Sequence, residues 1–93
     1  MKKKTAKSSG NVFLDLGFDP AEATVLQMRA KLMSDLRLYI EKHALTQAEA
    51  AKRLGIAQSR VSDLLRGKWD KFSLDILIML AARAGRKVEL AVN

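Results

Sequence analysis

The side chains best placed to do chemistry in this sequence form a short row: Gln58, Ser59, Arg60, Ser62 and Asp63, inside "QSRVSDLLR". Val61, Leu64 and Leu65 fall at helical spacing between them, so one face turns inward and the row is presented outward on a helix's first turns. An amide, hydroxyls, a guanidinium and a carboxylate side by side can exchange hydrogen bonds with nucleobase edges. A glutamine matches the donor–acceptor edge of adenine, and an arginine matches the two acceptors of guanine. Bond-making chemistry finds no such support. The chain has one histidine and no cysteine, no Gly-rich phosphate loop and no carboxylate pair in apolar surroundings, so we expect no enzyme, no cofactor and no metal site.

The elements that must position the row are legible just upstream. In "LTQAEAAKRLGI", Thr46 caps a helix and Glu49, three residues on, completes a capping box. Small Ala51 lets two helices cross closely, Gly55 supplies the left-handed turn, and Ile56 fills the corner. Ala51, Gly55, Val61 and Leu64 lie at offsets 4, 8, 14 and 17 from Gln47, each with a packing duty in a helix-turn-helix. A plain helical hairpin uses the same glycine. It leaves unexplained both the outward polar row and the basic balance of 17 Lys and Arg against 10 Asp and Glu, which suits a polyanion such as double-stranded DNA.

The 93 residues suffice for one small domain, and a hydrophobic share of 48% is too high for a disordered chain. Residues 1–10, with four lysines, read as a disordered basic arm, and residues 11–93 as the domain. No apolar run approaches the roughly 20 residues of a membrane span. With no cysteine and no secretion signal, the expected location is the cytoplasm. In "NVFLDLGF", Val12, Leu14 and Leu16 alternate as a short strand would, ahead of an Asp19–Pro20 helix start. The pattern over 20–43 is helical, with Val25, Leu32, Leu36, Tyr39 and Ile40 on one face. Another helix spans 72–85, capped by Ser73 and stopped by Gly85. Its apolar surface runs unusually far round, through Ile76, Met79 and Leu80. "RKVELAVN" then alternates as a strand, placing Val88, Leu90 and Val92 together. A lone strand needs a mate, either residues 12–16 or a second copy. These six residues, Ile76, Met79, Leu80, Val88, Leu90 and Val92, are the expected dimerisation surface. Trp69 reads as a loop anchor or a partner contact, and Asp63 as the ion-pair mate of Arg60 or Arg66.

"LTQAEAAKRLGIAQSRVSDLLRGK" resembles the Cro/repressor (XRE) helix-turn-helix family. Together with "FLDLGF", "RAKLM" and "KFSLDILIMLA", the chain is similar to the HigA-like antitoxin branch of that family across about residues 11–92. That resemblance implies an all-α, lambda-repressor-like bundle of about five helices, with the C-terminal strand pairing across a homodimer. It also implies autorepression at a palindromic operator, in the bacterial nucleoid, and neutralisation of a RelE-like toxin. By resemblance and chemistry together, Gln58, Ser59 and Arg60 are expected to read bases. Thr46, Gln47, Ser62, Lys68 and Lys71 are expected to meet phosphates. Ala57 departs from the serine or threonine that often caps the family's recognition helix. The competing readings are a free-standing phage-type regulator without a toxin, and a protein adaptor that keeps the fold without binding DNA.

Overall fold

The structure is a computed structural model, and it describes residues 10–89. Among the described residues it holds five α-helices, one 3-10 turn and no strand. They are α1 (Val12–Asp15), α2 (Pro20–Lys42), α3 (Gln47–Leu54), α4 (Gln58–Leu65), the 3-10 turn Trp69–Lys71, and α5 (Leu74–Arg83).

The alternation at 12–16 is a turn of helix rather than a strand. The Asn11 side chain accepts from the backbone N–H groups of Phe13 (2.9 Å) and Leu14 (3.4 Å), meeting needs that a strand would meet with a neighbour. Its amide also donates to the Ala23 carbonyl at 3.0 Å, tying α1 to α2. The helical turn buries Phe13 and leaves Val12, Leu14 and Leu16 exposed. Phe13 meets Phe18 and Trp69 edge-on, at centroid distances of 6.0 and 5.8 Å.

Asp19 caps α2 by accepting from the N–H groups of Ala21 and Glu22, and Pro20 occupies the first turn. The helix's 23 residues span about 35 Å, making it the spine of the molecule. Its buried face is Ala23, Leu26, Met33, Leu36, Tyr39 and Ile40. Val25 is exposed, because the stripe that ends on Ile40 passes through Leu26 one position later. Two clusters form along the spine. A small one joins Phe13, Ala23 and Leu26 near its start. A larger one gathers Met33, Leu36 and Ile40 with Ala50, Leu54, Val61, Leu64, Phe72, Leu77 and Leu80. Trp69 packs against both, as the loop-anchor alternative of its two expected roles requires.

Ser73 caps α5 by accepting from the Ile76 N–H (3.4 Å), and the helix lies against α2 and α3. That packing corrects one expected dimer contact. Leu80 is 1% exposed and belongs to this chain's own core, whereas Met79 is 49% exposed. The wide apolar circumference is thus largely spent inside one chain. Ile76 is half-buried against the core, and Val88 is half-buried beside a groove it shares with Met28, Leu32 and Ile78. Residues 86–89 form no strand, and Leu90 and Val92 lie outside the described residues, as does all of the basic arm except Gly10. No described helix is long and apolar enough to cross a membrane.

Candidate nucleic-acid interface

Local chemistry sets α3 and α4 at their angle. Thr46 Oγ1 accepts from the Glu49 N–H (3.1 Å), and Glu49 Oε1 accepts from the Thr46 N–H (2.8 Å). The reciprocal pair satisfies donors that the helix start would otherwise leave open. The bond that the carboxylate accepts from the Thr46 N–H, and after it a side-chain hydrogen bond from the Thr46 hydroxyl, hold the Glu49 carboxyl below its ordinary value. Thr46 and Gln47, at the exposed start of α3, are therefore fixed in place.

Gly55 ends α3 at φ +70°, a conformation only glycine adopts without strain. A Cβ there would stand 3.3 Å from Arg83 Nη1, which donates to the Leu54 carbonyl at 3.0 Å. Arg83 thus ties α5 to the C-terminal end of α3. After two more residues α4 begins, and Val61 and Leu64 seat it fully buried against Ala50, Ala51 and Leu54.

Ala57 is the N-cap of α4 and offers no side-chain bond to its first N–H groups. Gln58 and Ser59, directly after it, are exposed, while Ser62 is half-buried. Arg60 is half-buried, with its guanidinium 4.5 Å from the Phe72 ring centroid. Nothing in the local sequence links Phe72 to Arg60; the chain reversal through residues 66–72 brings them together. Asp63 pairs with Lys68 at 3.7 Å instead of with Arg60 or Arg66. The Lys68 N–H also donates to the Asp63 carbonyl at 3.1 Å, so the loop folds Lys68 back along α4. Lys71 is exposed at the end of the 3-10 turn. Gln58, Ser59, Thr46, Gln47, Lys68 and Lys71 thus belong to α3, α4 and the loop that follows, and Arg60 is drawn aside onto Phe72. No set of three or more metal-capable side chains occurs among the described residues.

The sequence profile of a family described as "Helix-turn-helix domain" matches residues 12–93. A solved structure described as an XRE family transcriptional regulator superimposes with a TM-score of 0.73 at 35% identity, covering 77% of this chain and 81% of that one. The chain belongs to the XRE family. A comparison with curated proteins gave no match.

As an XRE-family helix-turn-helix regulator, the protein carries α4 as its recognition helix and α3 as the helix that precedes it. Gln58 and Ser59 stand at the exposed start of α4. The bare cap at Ala57 leaves backbone N–H groups at that end, where the helix dipole favours an anion.

Proposed function

We propose that this XRE regulator is the operator-binding repressor and antitoxin of a toxin–antitoxin operon, acting as a homodimer. The carrying observation is the start of α4, where exposed Gln58 and Ser59 stand on a helix seated by buried Val61 and Leu64. Gln58 addresses adenine and Arg60 guanine, once Arg60 swings from Phe72 toward the groove, and Ser59 reaches a base edge or a phosphate. Thr46 and Gln47 at the start of α3, with Ser62, Lys68 and Lys71, hold the phosphate backbone and set the register. A palindromic operator follows from a two-fold dimer, with half-sites one helical turn apart, about 34–36 Å. Exposed Met79, with Ile76, Val88 and the outlying Leu90 and Val92, supplies the contact between copies.

Fluorescence anisotropy with a labelled library at about 150 mM salt tests the reading. Specific binding to a palindrome, weakening steeply with salt, is expected; equal affinity for every sequence overturns it. The antitoxin half rests on the likeness of "FLDLGF" and its companions to HigA-like antitoxins. Co-expression with the product of the neighbouring reading frame tests it, the expected outcome being a stable complex of the two. The second reading, a free-standing regulator without a toxin, is favoured by the description of the 35%-identical structure as a transcriptional regulator alone.

A further inference from the structure

Seven large hydrophobic side chains stand exposed among the described residues: Val12, Leu14, Leu16, Phe18, Val25, Leu38 and Met79. The first five lie between residues 12 and 25, on the hairpin formed by α1 and the start of α2. Val12 and Leu16 are 57% and 69% exposed. The small Phe13–Ala23–Leu26 cluster holds the hairpin in shape and does not cover this outer surface. A concentration of exposed apolar side chains on so small an element marks an interaction surface.

Charge says what can cover it. Residues 11–24 contain Asp15, Asp19 and Glu22 and no basic side chain, in a chain whose net charge is +7. All three carboxylate-bearing residues are exposed. A duplex is repelled by them, and so is an anionic lipid surface. A second copy docking through the same patch would set three carboxylates against three, an arrangement that a two-fold contact cannot avoid. Beside the acids, Phe18, Val25, Leu26 and Trp69 wall a groove whose rim carries Glu22 and Arg29. On the rim Glu22 and Arg29 offset one another, but residues 11–29 as a whole keep three acids to one arginine, a balance that suits an apolar side chain flanked by lysines or arginines.

We infer that the α1–α2 hairpin is the docking surface for a cationic protein partner, which seats an apolar side chain in the Phe18–Trp69 groove and sets basic residues against Asp19 and Glu22. This rests on the protein-partner half of the function proposed above and not on its DNA half. The hairpin contains neither Gln58 nor Ser59, while Trp69 in the groove wall directly follows Lys68 in the chain.

The test uses the full chain and, as the probe, the purified product of the neighbouring reading frame. Leu16→Ser removes the most exposed apolar contact, and Glu22→Lys reverses a rim charge. Neither residue is buried, so both variants should fold and bind operator as the parent does. Expected is a rise in the dissociation constant for the probe of about tenfold or more for each variant, with operator affinity unchanged. Unchanged probe affinity in both variants overturns the hairpin assignment while leaving the partner reading standing. So does a loss seen with Met79→Ser or Leu38→Ser in their place. Failure of the parent chain to bind the probe overturns both. Head-to-tail association of the chain with itself, abolished by Glu22→Lys, overturns the assignment in favour of a second copy.

Discussion

The Arg60 guanidinium lies over the ring of Phe72, 4.5 Å from its centroid, and that ring is itself 1% exposed in the core. The contact is worth about 0.5–2 kcal/mol and restricts a side chain that otherwise samples many rotamers. Arg60→Ala is expected to lose about 1–3 kcal/mol on the cognate operator and to relax preference at one base position. Phe72→Tyr keeps the aromatic face, whereas Phe72→Leu removes it. The second should move base preference at the Arg60 position and the first should not. Equilibrium selection from a randomised operator library reads both. Unchanged preference in Arg60→Ala would refute its base-reading role.

Lys68 spends part of its charge on Asp63, 3.7 Å away. Both side chains reach solvent, so the pair contributes little to stability, under about 0.5 kcal/mol. Its effect should appear in binding. Asp63→Asn is expected to tighten the protein on all duplexes, by removing a negative charge beside phosphate and releasing Lys68. Lys68→Ala should weaken all duplexes alike and lower the salt slope by about one unit. Titrations at several salt concentrations decide this, and a sequence-selective loss in Lys68→Ala would contradict it.

Ala57 leaves the start of α4 without a side-chain cap. Ala57→Ser is expected to raise the unfolding free energy by about 1 kcal/mol, with an unchanged denaturant slope. Urea denaturation measures it, and a stability equal to the parent's would show that another group already satisfies those N–H donors.

Acid should loosen the start of α3. The Glu49 carboxyl sits below its ordinary value of 4.5, chiefly through the Thr46 N–H. A group whose value is depressed on folding stabilises the protein above its unfolded value, and that contribution disappears as pH falls through the folded value. Asp75, depressed by its bond from the Ser73 hydroxyl, adds to the trend with the same sign. Unfolding free energies measured between about pH 6 and pH 3 should therefore fall less steeply in Glu49→Gln than in the parent. Parallel curves for the two proteins would remove the capping box as a cause.

The two neighbours on α5 should separate cleanly. Leu80→Ala opens a hole in the core and is expected to cost about 2–5 kcal/mol. Met79→Ser should change stability by less than about 0.5 kcal/mol and raise the monomer fraction in sedimentation, as should deletion of residues 86–93. An unchanged dimer in both would place the contact between copies elsewhere.

How far the sequence reaches depends on how local each cause is. Thr46 and Glu49 satisfy one another across three residues, and Gly55 announces its own turn, so α3, α4 and the angle between them are legible directly. The hairpin is not, because five alternating residues fit a strand and a helical turn equally well. The choice falls to Asn11, whose tie to Ala23 spans twelve residues. Leu80 and Met79 adjoin on an apolar helix, and only the packing of α2 and α3 against it decides which is core. The position of Arg60 over Phe72, and of Lys68 beside Asp63, depends on a chain reversal that no spacing encodes.

Trp69 is the chain's single tryptophan, and it packs against both apolar clusters. It also stands in the loop between α4 and α5, directly after Lys68 and two residues before Lys71. One indole therefore sits at the seam between the hairpin and the helix-turn-helix. Its emission is a built-in optical gauge at that seam: a displacement of either part alters the surroundings of the same chromophore, with no label added.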